Sequence, residues 1–152
     1  MGQTADIGDA SKRAYGSYLH TLRFFPKPLN KSCYQLPVTP NVPYLLRTWS
    51  VIGNYTGSEK FADFLLSVET PGMLFQSASR IKTKDPYGFE LIFVSAGRVL
   101  YICLIRTSET HDPFISAIEL RTLQKGMYPQ AKPGTALWIL ARKDVGGNSL
   151  LR

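Results

Sequence analysis

Hydrophobic residues in this chain alternate with polar ones in short runs, and residues that favour turns separate the runs. Leu22-Arg23-Phe24-Phe25 is stopped by Pro26 and Pro28, and the strand predicted from Cys33 to Val38 ends at Thr39-Pro40-Asn41. Tyr44 to Ile52 places Leu45, Trp49 and Val51 on one face and Leu46 and Ile52 on the other, a pattern that demands cover on both sides. After the Gly53 to Gly57 turn, Phe61 to Val68 predicts another strand, and Gly72 to Ser79 a weaker one. Phe89 to Val94 and Val99 to Arg106 flank Ser95-Ala96-Gly97-Arg98, which reads as a hairpin link with Gly97 at positive φ. Asp112-Pro113 opens the last clear strand, Phe114 to Leu123, with Ile118 and Leu120 facing inward and Glu119 and Arg121 facing water. The 3.6-residue period of helices is nearly absent, and residues 1 to 20 are polar without a period, so structure is predicted to begin near Leu22.

Regularly spaced short strands whose apolar faces must cover one another predict an all-β fold, a β-sandwich or jelly roll. At 152 residues and 44% hydrophobic, the chain can bury one core of ordinary size, so one domain is expected. The turn formers, 12 Gly and 10 Pro, and an aromatic content of 12% fit that class and exclude a disordered chain.

The formal net charge of +7 bears on partners only through its distribution. Lys12-Arg13, Arg80 to Lys84 and Arg142-Lys143 are small, separate clusters, so a basic nucleic-acid-binding β domain is the least favoured reading; a polyanionic cell-wall sugar suits the same surface. Cys33 and Cys103 lie in two predicted strands and form either a disulfide, in an exported protein, or two buried thiols. No Cys or His spacing suggests zinc or another metal, and no cofactor motif is present. Asn30-Lys31-Ser32 and Asn54-Tyr55-Thr56 make Asn30 and Asn54 candidate glycosylation sites. The N-terminus has no secretory signal pattern, and the apolar stretches fall far short of the roughly 18 residues a membrane span needs.

Catalytic material is thin. His111-Asp112, with Ser108 and Ser116 as nearby hydroxyls, is the best candidate for an oriented base, but Asp112 before Pro113 reads as a turn cap and no Gly-x-Ser-x-Gly elbow exists. Asp85 and Glu90 flank Pro86-Tyr87-Gly88 and read as solvated charges rather than a glycosidase pair. A sugar-binding surface needs loop aromatics, because pyranose faces lie against flat rings, and Tyr55 and then Tyr87 are the candidate ligand contacts.

Four phrases, in this order and spacing, carry a resemblance: Leu22-Arg23-Phe24-Phe25-Pro26; Cys33-Tyr34-Gln35-Leu36-Pro37-Val38; Tyr44-Leu45-Leu46-Arg47 through Gly53-Asn54-Tyr55-Thr56-Gly57; and Asp112-Pro113-Phe114-Ile115-Ser116-Ala117-Ile118-Glu119-Leu120-Arg121. With Val99-Leu100-Tyr101-Ile102-Cys103-Leu104 between the last two, they resemble the malectin-like domain of plant receptor-like kinase ectodomains. The resemblance implies a malectin-like, galactose-binding-like sandwich, here one truncated lobe. Residues 1–20 would be a poorly ordered or partial N-terminal segment, 21–130 the malectin-like domain, and 131–152 a C-terminal strand and connector, Leu137 to Gly146, towards a missing second lobe. It implies a non-catalytic extracellular module of a glycoprotein receptor that binds carbohydrate, a cell-wall glycan, with a secreted peptide or protein as the alternative ligand. A second lobe or co-receptor would be its partner. The module would sit on the outer side of the plasma membrane, anchored only through segments absent from this chain; the kinase signatures are absent as well. A truncated sandwich should also leave strand edges unpaired.

Overall fold

The computed structural model describes residues 1–53, 62–81 and 85–140. Its strands are β1 (Gln3–Asp6), β2 (Thr21–Phe24), β3 (Lys31–Pro37), β4 (Pro43–Ser50), β5 (Ala62–Thr70), β6 (Met73–Ile81), β7 (Tyr87–Val94), β8 (Val99–Arg106), β9 (Phe114–Ile115), β10 (Ala117–Thr122) and β11 (Ala136–Trp138). Helix α1 (Asp9–Ala14) and a 3-10 turn at Ser17–Leu19 lie between β1 and β2. The strands form two four-stranded sheets, ordered β3-β8-β5-β6 and β10-β4-β7-β11, and a three-stranded sheet β1-β2-β9, with every pairing antiparallel. The fold is an all-β sandwich.

Alternation decides which side chains fill it. Leu100, Ile102 and Leu104 of β8 and Phe64, Leu66 and Val68 of β5 meet Tyr44 and Leu46 of β4 and Phe89, Leu91 and Phe93 of β7 in one buried cluster. Phe75 and Phe89 join the layers with ring centroids 5.5 Å apart. β4 is buried on both faces, as its sequence demands: Leu45 and Arg47, on the side away from the cluster, are each only 8% exposed. Arg47 is stabilised there by two cross-strand carboxylates, since the register sets it opposite both Glu90 and Glu119 and it forms ion pairs with each.

Three features depart from the sequence pattern. The link 95–98 is not a hairpin turn: β7 runs between β4 and β11, β8 between β3 and β5, and the link carries the chain from one layer to the other. Both strands are apolar enough for central positions, and the crossing is held by Ser95, whose backbone N–H and C=O pair with Val42 and Asn41 and whose Oγ donates to the Gly97 carbonyl. Gly97 is not among the residues with positive φ; glycine suits this position because a Cβ would sit 2.5 Å from Pro71 Cγ. The single strand expected from Phe114 to Leu123 is two. Ser116 donates its N–H to the Trp49 carbonyl while Ala117 is the residue in register with Trp49, so two residues oppose one in a bulge, and β9 joins one sheet while β10 joins another. Finally, the stretch before Leu22 holds β1, α1 and a 3-10 turn, and buries Ile7 and Leu19. Gln3-Thr4-Ala5-Asp6 has no apolar alternation of its own; pairing with β2 makes it a strand.

Candidate functional site

Where the two large sheets end on one side, their edge strands β3 and β10 leave an apolar groove of about 510 Å³ between them. Tyr34, Leu36 and Pro37 line it from β3, and Ile115, Ser116, Ala117, Ile118 and Leu120 from the β9–β10 strand. The hydrogen-bond phase explains why. Leu123 donates its N–H to the Pro43 carbonyl, so the pairs in step with it, Arg121–Leu45 and Glu119–Arg47, face β4 with their backbone groups. Ile118 and Leu120 alternate with them and turn their backbone N–H and C=O away from β4 and their side chains into the groove. Among the described residues, no strand pairs with that edge of β10. Tyr34 meets Phe25 edge-on at 6.2 Å, and burial raises its phenol pKa against the opposing pull of nearby Arg23.

The same phase places the cysteines. Val38 donates to the Arg98 carbonyl and Arg106 to the Asn30 carbonyl, so the even-numbered positions of β3 bond to β8 and Cys33–Cys103 falls on a non-hydrogen-bonded pair. Such pairs bring side chains together on one face. The two cysteines are joined, with Cα atoms 4.0 Å apart, on the face of the sheet turned away from the core. Lys31 Nζ and Ser67 Oγ both donate to Glu69 Oε1, at 2.9 and 2.8 Å, linking β3 to β5 across β8. The Lys31 ammonium holds the Glu69 carboxyl below the usual carboxylate range. A carboxyl depressed by folding adds stability at neutral pH that is lost as pH falls through its folded value, so the urea midpoint is expected to drop between about pH 5 and about pH 3. Glu69→Gln should make that drop shallower; an unchanged pH profile would remove the ion pair from the stability of the sheet.

The other residues singled out by the sequence are dispersed. Tyr87 is the first residue of β7, opposite Ser50, half-buried and packed against the core. Asn30 is exposed beside β3, while Asn54 and Tyr55 lie outside the described residues. Asp112 does not orient His111: its Oδ1 accepts from Arg106 Nη2 at 2.8 Å, and His111 Nδ1 lies 3.1 Å from both Ser108 Oγ and Thr110 Oγ1. Among the described residues, no group of three or more His, Cys, Asp or Glu could hold a metal ion. Sequence reasoning missed the groove residues and Arg106. The groove had a usable signal in the inward phase of Ile118 and Leu120, but a sheet interior and an open edge share that alternation.

The profile of the malectin-like domain matches residues 1–152. The chain belongs to the malectin-like domain family. A putative leucine-rich repeat receptor-like serine/threonine-protein kinase of Arabidopsis thaliana is 34% identical over 140 residues, 91% of this chain and 16% of the relative. A probable LRR receptor-like serine/threonine-protein kinase of the same plant is 32% identical over 127 residues, 84% of this chain and 14% of the relative. The chain thus spans less than one fifth of the length of these curated relatives, and their kinase domains lie outside the matched stretch. A malectin-like domain is a recognition module and not an enzyme.

Solved structures share the fold. The plant receptor-like kinase FER superposes with a TM-score of 0.63 at 17% identity, over 90% of this chain and 38% of that one. A structure of the peptide RALF23 in complex with FER and LLG2 gives 0.62 at 17%, over 90% and 39%. The extracellular domain of ANXUR1 from Arabidopsis thaliana gives 0.59 at 18%, over 81% and 34%. No helix among the described residues is long and apolar enough to cross a membrane.

Proposed function

We propose that this malectin-like domain is the extracellular recognition module of a receptor-like kinase type protein, and that its groove between β3 and β10 receives an extended segment of a secreted peptide. The observation that carries this reading is the coincidence of an apolar groove with a backbone edge that no strand pairs among the described residues. A peptide strand laid against β10 gains main-chain hydrogen bonds from Ile118 and Leu120, and every second side chain of the peptide enters the space lined by Tyr34 and Leu36. A sugar, rich in hydroxyls, gains little from such walls. The complex of FER with RALF23 and LLG2 gives the reading a precedent on the same fold. In the full protein, a second malectin-like lobe or a co-receptor would complete the assembly outside the plasma membrane, with Asn30 and Asn54 as glycosylation sites.

Isothermal titration of the domain against a panel of secreted peptides that includes RALF23 tests it. Saturable one-to-one binding is expected for at least one peptide. Ile118→Asp, which puts a charge on the groove wall, should weaken that binding tenfold or more, equivalent to about 1.4 kcal/mol. Flat titrations across the panel, or binding that survives both Ile118→Asp and Leu36→Asp, would count against the groove. A second reading, carbohydrate recognition, keeps Tyr55, which lies outside the described residues, and Tyr87, at the start of β7, as contacts.

A further inference from the structure

The two ends of the groove differ. At one end Thr39 donates its N–H to the Tyr44 hydroxyl, and Tyr44 is in register with Thr122, so Pro37 and Leu120 come together there. At the other end Tyr34 meets Phe25, whose N–H donates to the Pro113 carbonyl, which puts Tyr34 beside Ile115. The edge that is open along β10 is closed at this second end. Ser116 N–H and the Phe114 carbonyl bond towards β4, so Pro113 and Ile115 turn their backbone groups the other way, and β2 pairs with them there. Arg23 is the β2 residue in register with Ile115, shares its face and is exposed, with its guanidinium beside the Tyr34 phenol. None of the residues lining the groove is charged, and among the described residues Arg23 has no carboxylate in an ion pair.

We propose that this end of the groove is a carboxylate site, in which Arg23 and the Tyr34 hydroxyl hold the free C-terminus of the bound peptide; the site rests on the reading of the groove as a peptide site. Strand direction supplies the first argument. A peptide antiparallel to β10, the more stable pairing, runs from Leu120 towards Ile115 and brings its C-terminus to Arg23. Obstruction supplies the second, because β2 occupies the continuation of the edge and a strand on that line has to end there. Charge supplies the third. A guanidinium fork matches a carboxylate with two parallel N–H bonds, the phenol adds an O–H donor, and a peptide laid in the opposite direction brings its ammonium to a cation.

Isothermal titration with one designed probe, the hexapeptide acetyl-Thr-Val-Thr-Ile-Thr-Val, tests the site. The free acid is expected to saturate and to bind tenfold or more tighter than its C-terminal amide, an advantage that shrinks as salt is raised. Arg23→Gln should bring the acid down to the amide and leave the amide within twofold, with the urea midpoint unchanged because the side chain is exposed. Arg23→Lys, which keeps the charge and loses the fork, should retain part of the advantage. Extending the acid by three C-terminal residues, or moving the carboxylate to the other end as a succinyl cap on the amide, should restore nothing. Ile118→Asp should weaken acid and amide alike. Equal binding of acid and amide that Ile118→Asp still weakens would overturn the carboxylate site and spare the groove; so would an extended or succinyl probe that binds as tightly as the acid. Flat titrations with both acid and amide would sink the groove and the site together.

Discussion

Replacing Arg106 with leucine is expected to cost about 3–5 kcal/mol of folding stability, a large share of the roughly 5–15 kcal/mol available to a domain of this size. The guanidinium side chain is only 4% exposed and ties three segments together. Its Nη2 donates to the Phe25 carbonyl at 2.7 Å and to Asp112 Oδ1 at 2.8 Å, its Nη1 to the His111 carbonyl at 2.8 Å, and its Nε to the Leu29 carbonyl at 3.3 Å. Leucine leaves a carboxylate and three carbonyls without that donor in a partly buried place, where an unmade hydrogen bond costs more than a made one contributes. Asp112→Asn keeps the three carbonyl bonds and should cost about 1–2 kcal/mol. The double variant Arg106→Leu/Asp112→Asn should recover part of the single-variant loss, because the stranded carboxylate is gone. Urea unfolding of the three variants supplies the cycle. An Arg106→Leu loss below about 1 kcal/mol would mean that water reaches these groups after the substitution.

Arg106 also explains why the phrases that place the chain in its family say little about a ligand. Asp112-Pro113-Phe114 supplies the carboxylate for Arg106, a backbone acceptor for the Phe25 N–H and the Phe114 ring that meets Phe64 at 5.5 Å. Cys33-Tyr34-Gln35-Leu36 supplies the bridge and one wall of the groove. These residues close the sandwich. The open edge of β10, on which the proposed function rests, has an ordinary sequence pattern.

That division governs how far the sequence could be read. Strand existence was legible wherever a strand is central, as in β4, whose two-sided burial follows from Leu45 and Leu46 both being large and apolar. It failed for β1, where Gln3-Thr4-Ala5-Asp6 is ordered by its neighbour rather than by its own pattern. It also failed for strand partnership at the 95–98 link, because four residues between two apolar strands suit a hairpin and a crossing equally; only the long-range pairings, β7 with β4 and β8 with β5, decide between them. The weak strand read from Gly72 to Ser79 is the full nine-residue β6, weak in sequence because as an edge strand it has less apolar area to bury.

Removing the bridge, with Cys33→Ala and Cys103→Ala together, is expected to lower stability by about 4 kcal/mol, the second large effect. Most of that arises in the unfolded chain. The bridge closes a loop of 70 residues, and opening it returns to the denatured ensemble the conformations that closure excludes. The folded state changes little, because Cys33 and Cys103 already sit opposite one another in a β3–β8 ladder held by backbone bonds on both sides, from Asn30–Arg106 to Val38–Arg98. Two signatures follow. The urea midpoint should fall while the slope of the transition rises, since the uncrosslinked chain exposes more surface on unfolding. Dithiothreitol should move the unmodified protein to the same midpoint and leave the double variant where it is. A domain relying on this bridge suits an oxidising compartment, in keeping with the proposed extracellular module, and would lose the contribution in a reducing one. A loss below about 1 kcal/mol would place β3 against β8 already in the denatured chain, so that the covalent link restricts nothing further.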